Sequence, residues 1–426
     1  MSTLVSINEA LRMTLERSAP LEPILVALDE ALGCVLAELI IATADVPPFA
    51  NSSMDGFAVR AIDTLRAPVS LVVVDTAFAG RPSSRAINAG EAIRIMTGAV
   101  LPEGADAVCM VERTRAERDG AEVVVEVVVE PGQFVRSAGD DLRRGARVFD
   151  AGDVLEPAHL GVLASVGRTM VRVHPRPRVG VLSTGDELTE DPGPLVAGAI
   201  RDSNRHVLLG LVQSSGFVAV DLGIVPDDRE RLRRSLREAA GVCDAILTSG
   251  GVSVGDADLM KEVLLEECGG TMRSMSVAVR PAKPFAFGTL VETATPVFGL
   301  PGNPVSSMVS FELFARPALR KMAGHAQLLR PVILAVADEP MPRDPDGKVH
   351  IVGVRARVGD DGRAHISTAG VQASHVLSSM ARANALAIVP DGVGIALREC
   401  VETILVDVDS LGGTSAVLTS PVADES

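Results

Sequence analysis

The sequence predicts a multidomain protein in which a largely parallel α/β domain is combined with β-rich domains. Its 426 residues are enough for about three or four domains of ordinary size. Between residues 177 and 327, strand-like apolar runs alternate with helical patterns, which favours parallel strands joined by helices. Short apolar runs separated by Gly, Pro and Asp favour all-β domains instead. The expected domains are a discontinuous one at 1–45 and 141–176, an inserted β-rich one at 46–140, the α/β domain at 177–327, a C-terminal β domain at 328–412, and a tail at 413–426.

The first 140 residues predict two helices followed by strands. Ser6 and Glu9 have the capping-box spacing that marks the start of a helix. A second helix is expected over 22–32, ending at Gly33, with β-like residues after it. The strands expected in the inserted domain cover 70–74, 107–111 and 122–129. The last of these alternates only loosely, which indicates a strand buried on both faces.

The α/β and C-terminal domains have a regular order of elements. In the α/β domain, strands are expected over 178–182, 218–222, 244–248 and 295–300, and helices over 202–215, 228–241, 257–267 and 304–322. After Arg330 the helical patterns stop, and five strands are expected over 332–337, 348–357, 363–368, 385–389 and 401–407. Five short strands in about 80 residues indicate a small barrel or a sandwich.

Composition excludes several classes of function. The net charge of −15 disfavours a nucleic-acid binder or a protein of anionic membrane surfaces, because both need a surplus of cations. Trp and Tyr are absent, so aromatic platforms for base stacking are poorly supplied. No apolar stretch approaches the length of a membrane span, and the N-terminus lacks the pattern of a signal peptide.

The cysteines predict a reduced, cytoplasmic protein. The five residues Cys34, Cys109, Cys243, Cys268 and Cys400 are widely spaced and odd in number, which excludes a disulfide framework or a CxxC zinc site. Buried, reduced thiols are the simplest interpretation.

The segment from Thr248 to Asp258 is the strongest candidate for a ligand site. It follows an apolar strand, precedes a helix, and contains Ser249, Gly250, Gly251, Ser253 and Gly255. Glycines let a backbone approach a ligand closely, and the N–H groups at a helix start bind anions. An ordinary βα loop is the alternative. Asp258 is either a carboxylate favoured by the helix dipole or a ligand for a divalent cation.

Acidic and cationic residues at other junctions extend this candidate site. Glu187 and Asp227 follow two further predicted strands, so they and Asp258 can converge on one edge of a parallel sheet and hold Mg²⁺. Considered by themselves, Asp227 and Asp228 are favoured as a helix N-cap. Arg280 and Lys283 lie between prolines, which indicates either a fixed cationic edge for an oxyanion or a solvated loop. Residues 299–307 contribute Pro301, Pro304 and Ser306, either to the same ligand or to a rigid turn.

Two turn-rich segments of the inserted domain are further candidates. Asp55 lies in residues 47–58 and Thr97 in residues 95–98, where each is either catalytic or bonded to turn amides. The seven histidines show no metal-ligand spacing, and a structural role is favoured for His375.

Seven segments, taken in series, resemble the molybdopterin molybdenumtransferase family, which includes MoeA and the E domain of gephyrin. The similarity spans nearly the whole chain. The segments are PPFANSSMDGFA at 47–58, IMTGAVLPEGADAV at 95–108, VGVLSTGDEL at 179–188, LGIVPDD at 222–228, SGGVSVGDAD at 249–258, RPAKPFAFG at 280–288 and GLPGNPVSS at 299–307. Three positions depart from the family pattern: Ala50 replaces an Asp, Phe57 a Tyr, and Arg280 a Lys.

The resemblance implies a fold, a reaction and a site. The implied fold has an α/β domain like that of the molybdopterin-binding MoaB and MogA proteins, with an inserted β-rich domain and a C-terminal β-barrel. The implied enzyme inserts molybdate into the dithiolene of adenylylated molybdopterin, releases AMP, and uses Mg²⁺. The residues implied are Asp55, Thr97, Asp141, Glu187, Asp227, Asp258, Lys283, Pro301 and Pro304, and, by a weaker match, Arg355 and Ser374.

The resemblance also implies partners and alternatives. The family forms homodimers whose active-site cleft takes residues from both subunits. Transient contacts with a molybdopterin adenylyltransferase and with cofactor-accepting enzymes are expected. The alternatives are a molybdopterin adenylyltransferase, whose single domain resembles 177–325, and a non-catalytic scaffold like the gephyrin E domain.

Overall fold

The computed structural model describes residues 4–250 and 259–411. The chain divides into two compact units, which we call the larger unit (Met1–Pro23 with His174–Ser426) and the smaller unit (Ile24–Val173). Within the described residues, no helix is both long and apolar enough to cross a membrane.

The larger unit contains the predicted α/β sheet. Its six strands, in spatial order, are Val218–Val225, Arg178–Thr184, Ala245–Ser249, Pro296–Leu300, Pro284–Thr289 and Arg273–Ser276. The first four are parallel, as the sequence predicts. The last two run antiparallel to their neighbours. The sequence did not predict these two strands, because the prolines at 281 and 284 favoured a fixed turn in this region.

Apolar cores cover both faces of this sheet. Along the strand Ala245–Ser249, Leu247 packs into one core with Leu208, whereas Ile246 packs into another with Leu232. Such burial on two faces is usual for parallel strands. The helices of the larger unit are Ile7–Glu16, Ser203–Ser214, Arg229–Ala240, Leu259–Cys268, Pro304–Ser310, Arg316–Met322 and Leu377–Met380.

Two helix predictions can be compared with particular contacts. Ser6 caps the first helix, since its side chain accepts a hydrogen bond from the Glu9 N–H at 3.1 Å. The helix predicted over 304–322 is interrupted by a π-helical turn, Phe311–Ala315. We attribute this turn to Pro317, because proline has no N–H for the carbonyl four residues before it.

The C-terminal strands close into a barrel, which decides between the two architectures expected from the sequence. The strand Val349–Val358 pairs with both Ala364–Thr368 and Ala385–Val389, so five strands form a ring. The other two are Val332–Ala337 and Cys400–Leu405. A short strand, Val279–Arg280, leads out of the α/β part and pairs with the barrel strand Val349–Val358. Smaller two-stranded pairs join Leu188–Thr189 to Ile200–Arg201 and Met341–Pro342 to Gly394–Ile395.

The smaller unit is mainly β-structure. Its six-stranded sheet contains, in spatial order, Ala107–Met110, Gly56–Val59, Glu91–Ile95, Val69–Ala77, Glu122–Val125 and Thr114–Glu117. All three predicted runs are therefore strands. In Glu122–Val125, however, only Val123 and Val125 are fully buried, so the expected burial on both faces is wrong. The remaining elements are Val35–Leu36, Ile40–Ile41, Asn51–Ser52, Val135–Arg136, Arg147–Phe149, Met170–His174 and the helix Pro157–Ser165.

The helix predicted over 22–32 is wrong. The structure has a strand, Ile24–Ala27, followed by the 3₁₀-helix Leu28–Glu30. This strand pairs with Met170–His174, which lies more than 140 residues further along the chain. A long-range pairing of β-prone residues thus overrides a local helical pattern.

Candidate active site

The loops that follow the four parallel strands emerge at one edge of the sheet, because parallel strands end on the same side. We call this region the sheet edge. It begins at Gly185, Pro226, Gly250 and Pro301. The positions singled out from the sequence at 187, 227 and 250 therefore lie at a common edge of the larger unit.

Hydrogen bonds hold the acidic residues of the sheet edge in place. Thr184 donates from Oγ1 to Asp227 Oδ1 at 2.8 Å, and the Asp227 N–H donates to Asp186 Oδ1 at 3.1 Å. Glu187 folds back over Gly185, where an added Cβ would lie 2.5 Å from a Glu187 carboxylate oxygen. The helix Arg229–Ala240 is capped by Asp228, not by Asp227. The N-cap interpretation of the pair Asp227 and Asp228 is therefore confirmed at Asp228, whereas the Asp227 carboxylate stays at the edge.

The described part of the glycine loop packs closely against the next loop. Gly250 has a φ of +94°, a conformation that favours glycine, and its N–H donates to the Leu300 carbonyl at 3.0 Å. A Cβ added at Gly302 would lie 4.0 Å from the Gly250 Cα. The predictions for Gly251, Ser253, Gly255 and Asp258 lie outside the described residues.

Asn204 joins these two loops and was missed in the sequence. Its Nδ2 donates to Ser249 Oγ at 2.9 Å and to the Gly302 carbonyl at 2.6 Å. Its Oδ1 is buried and has no hydrogen-bond partner among residues 4–250 and 259–411. A buried polar atom without a partner is rare, and a bound ligand is one explanation. The available signal was Asp202, an N-cap residue that places Asn204 in the first helical turn.

A cavity of about 530 Å³ lies beside the barrel in the larger unit. One wall contains Arg280 and Lys283, the predicted cationic edge. The barrel side of the lining adds Lys348 and His350, and His350 is the strand partner of Arg280. The sequence analysis missed these two residues, although their spacing by two places them on the same face of a predicted strand. Ser306 and Ser374 also line the cavity, as expected.

Asp346 organises the cationic side chains of the cavity. Its Oδ1 accepts from Arg343 Nη2 at 2.7 Å, and its Oδ2 accepts from Lys348 Nζ at 3.0 Å and lies 3.3 Å from His350 Nε2. Arg280 Nη1 lies 3.8 Å from the same Oδ2. Burial raises the pKa of Asp346, but the hydrogen bonds from Lys348 and His350 outweigh it and hold the pKa at about 2. A single ionised carboxylate therefore faces several cations.

The remaining predicted residues differ in their placement. Pro304 is the first residue of its helix, and the Pro301 carbonyl accepts a hydrogen bond from Ser307 Oγ. Arg355 lies opposite Ser367 on the barrel and is not among the residues that line the cavity. Its side chain is exposed.

In the smaller unit, Asp55 and Thr97 are in direct contact. Asp55 Oδ1 accepts from both the N–H and the Oγ1 of Thr97 at 2.7 Å, and these bonds lower the pKa of Asp55. Gly56 is required beside it, since an added Cβ would lie 1.9 Å from the Cys109 carbonyl oxygen. Asp141 is exposed, and its N–H donates to the Val46 carbonyl at 2.9 Å.

The cysteine prediction is correct for four residues and wrong for one. Cys34, Cys109, Cys243 and Cys268 are buried, whereas Cys400 is exposed. Cys400 begins a barrel strand, and Arg363 Nη2 lies 3.3 Å from its sulfur. Burial raises the pKa of Cys109 to about 11 and that of Cys268 to about 12, so these thiols stay protonated.

A parallel sheet with ligand-type loops at its carboxyl edge, next to a cation-lined cavity, defines a small-molecule-binding α/β protein. Three family models match consecutive parts of the chain. The MoeA N-terminal region (domain I and II) matches residues 5–167, the probable molybdopterin binding domain matches 180–321, and the MoeA C-terminal region (domain IV) matches 336–406. The chain belongs to the MoeA family.

Individual relatives agree with this assignment. A molybdopterin molybdenumtransferase of Haemophilus influenzae is 38% identical over 357 residues, which cover 84% of this chain and 87% of that protein. Molybdopterin molybdenumtransferase 2 of Mycobacterium tuberculosis is 37% identical over 396 residues, covering 91% and 96%. The crystal structure of a molybdopterin biosynthesis MoeA protein from Pyrococcus horikoshii aligns with a TM-score of 0.76 at 30% identity, covering 95% of this chain and all of that one.

Proposed function

We propose that the protein is a molybdopterin molybdenumtransferase. It would insert molybdate into the dithiolene of adenylylated molybdopterin and release AMP and the molybdenum cofactor. The observation that carries this proposal is the cation-lined cavity, which lies in the same compact unit as the ligand-type sheet edge. The two features suit an oxyanion and a phosphorylated pterin, respectively.

The cavity has the charge expected of an oxyanion site. Arg280, Lys283 and Lys348 line it, and Asp346 is the carboxylate among its lining residues. Arg280 supplies a planar fork of donors, and the lysines supply compact charges, which together suit the oxygens of a tetrahedral dianion. We assign molybdate to this cavity. Ser306 and Ser374 add polar groups to its lining.

The sheet edge suits the phosphate-bearing substrate. Adenylylated molybdopterin is a phosphoanhydride, and backbone N–H groups near a helix start stabilise phosphate oxygens. Gly250 and Gly302 carry no side chain that would shield their backbone from a ligand. The Oδ1 of Asn204, which has no partner within the described part of the chain, offers an acceptor for a donor group of the same ligand.

The carboxylates of the sheet edge fit Mg²⁺. Within the described residues, no group of three or more metal-ligating side chains is placed to hold a metal. Mg²⁺, however, usually takes one or two carboxylates together with waters and substrate phosphates. Glu187 and Asp227 would hold it, with Asp258 as the third predicted ligand. Bound Mg²⁺ would neutralise charge on the phosphates as the anhydride is cleaved.

The chain's own residues position the substrates and stabilise their charges. They need not supply a nucleophile. The two sulfurs that receive molybdenum belong to the pterin substrate. The buried thiols at 109 and 268 are protonated and enclosed, so they do not compete for the metal. Lys283 and Arg280 hold the incoming oxyanion, and Asp227 and Glu187 bind the cation that supports the departure of AMP.

Several parts of the proposal rest on the family resemblance. Asp55, Thr97 and Asp141 join the proposed site on that basis. We propose that the protein acts in the cytoplasm as a homodimer and contacts the preceding adenylyltransferase and cofactor-accepting enzymes only transiently. Sedimentation analysis that finds a fully active monomer would remove the homodimer from this proposal.

The test is to incubate the purified chain with adenylylated molybdopterin, molybdate and Mg²⁺. We expect AMP to be released together with a cofactor that activates a molybdenum-free apoenzyme. The double variant Arg280→Gln/Lys283→Gln should lose cofactor formation, whereas Arg357→Gln, a cation outside the cavity lining, should retain it. Consumption of ATP with molybdopterin would instead indicate an adenylyltransferase. No turnover of either substrate would favour the scaffold.

A further inference from the structure

His350 is a titratable residue of the cavity to which the proposed function assigns no role. It is the strand partner of Arg280, and it lines the same cavity as Lys283 and Lys348. Its Nε2 lies 3.3 Å from Asp346 Oδ2, so the carboxylate sets the orientation of the ring. A histidine beside an oxyanion site either stays neutral and only lines the site, or takes up a proton and binds the anion as imidazolium.

The charged groups around His350 come from every element packed against it. Lys348 lies immediately before the strand of His350, Arg280 lies on the paired strand, and Lys283 lies on the turn that follows that paired strand. Arg343 reaches Asp346 from the preceding loop and also donates to Asp391 Oδ1 at 2.9 Å. Cations therefore outnumber carboxylates around the imidazole while the cavity holds no anion.

This excess of positive charge favours a neutral imidazole. Burial lowers the pKa of His350, the hydrogen bond to Asp346 opposes that shift, and the nearby guanidinium groups of Arg343 and Arg280 add to it. A dianion in the cavity offsets this net positive charge and stabilises imidazolium. Asp346 is already placed to accept a hydrogen bond from the protonated ring.

We propose that His350 takes up a proton when molybdate enters the cavity, so that the oxyanion and the proton bind together. This inference rests on the proposed function, because it assumes that molybdate is the anion held there. The pKa of His350 is then higher in the complex than in the free protein. Molybdate affinity is greatest below the free pKa, and it is lost as pH rises toward the pKa of the complex, by up to about tenfold per pH unit for one proton.

Calorimetric titration of the full-length chain with sodium molybdate tests this coupling. Measurements in two buffers of different ionisation enthalpy give the number of protons taken up on binding. We expect net uptake between about pH 6 and 8, where an imidazole titrates, and an affinity that falls with rising pH. His350→Gln should bind molybdate without proton uptake and with a nearly flat pH dependence.

Two further variants guard against a folding artefact. Asp346→Asn keeps the shape of the side chain but removes the charge that stabilises imidazolium, so proton uptake should move to lower pH. His365→Gln is the matched control: His365 is also paired with aspartates on the barrel, at 2.8 Å from Asp338, but it does not line the cavity. It should show the proton uptake of the unmodified chain.

The outcomes separate this inference from the function on which it rests. Molybdate binding without proton uptake in the unmodified chain, or unchanged uptake in His350→Gln, overturns the role of His350 and leaves the proposed function standing. An absence of molybdate binding, or binding unaffected by Arg280→Gln/Lys283→Gln, overturns both.

Discussion

Replacing Asn204 with alanine distinguishes a residue that only joins two loops from one that also contacts the substrate. Asn204 donates to Ser249 Oγ and to the Gly302 carbonyl, and its buried Oδ1 has no partner among the residues that the structure describes. Asn204→Ala removes two hydrogen bonds, which destabilises the free protein. It also removes a buried oxygen that has no partner among the described residues, which stabilises it. The two effects on the free energy of unfolding partly cancel.

The expected change in stability is therefore small. Each intramolecular hydrogen bond contributes about 0.5–1.5 kcal/mol net, so the free energy of unfolding should fall by about 1–2 kcal/mol. For a unit of this size, that corresponds to a Tm lower by roughly 2–4 °C. If Oδ1 accepts a hydrogen bond from the substrate, the loss of a further 1.5–3 kcal/mol should lower kcat/KM by about 10- to 150-fold.

The assay measures Tm and the rate of AMP release on the same preparation. Asn384 provides a matched control because it is buried in the barrel and its amide bonds to the Ala356 backbone at 2.6 and 2.9 Å, away from the cavity. Asn384→Ala should lose comparable stability and keep its activity. Equal activities for the two variants at equal loss of Tm would refute a substrate contact for Asn204.

Three further predictions concern charge and pH. Asp227→Asn should lower AMP release at least about tenfold at limiting Mg²⁺ and less at saturating Mg²⁺, since it removes a proposed metal ligand; full turnover of the unmodified chain in excess EDTA would contradict the metal assignment. Asp55→Asn keeps an oxygen that can accept both Thr97 bonds, so it should lower turnover with little change in Tm, and unchanged turnover would remove Asp55 from the site. The hydrogen bond to Asp338 raises the pKa of His365 above its usual value. The stabilisation by His365 is therefore complete below about pH 6.5 and is lost as pH rises through its folded pKa. The Tm difference between the unmodified chain and His365→Gln should narrow above that pH, and a difference that widens would show that the sign is wrong.

Local chemistry in the sequence was enough to predict most of the α/β and barrel strands. The alternation of β-prone runs with capped helices predicted the parallel strands that begin at Arg178 and Ala245. Ser6 predicted the start of the first helix because its capping hydrogen bond joins residues only three positions apart. Ligand-type loops at the ends of strands were predictable too, since parallel topology places them on one edge.

The tertiary structure alone decided features that depend on distant parts of the chain. The strand Ile24–Ala27 forms because Met170–His174 pairs with it, and no local pattern records such a partner. The choice between Asp227 and Asp228 as the helix cap depended on one hydrogen bond, from the Arg231 N–H to Asp228.

The cavity shows the same division between local and distant information. Arg280 and Lys283 stood out in the sequence because two prolines flank them, whereas Asp346, Lys348 and His350 looked like an ordinary turn and strand. The pairing of Val279–Arg280 with the barrel brings the two groups together. Residue types and local spacing determine which side chains can bind an anion. Which of them share one cavity is decided by strand pairing between segments about 70 residues apart, because only burial and backbone hydrogen bonding select that partner.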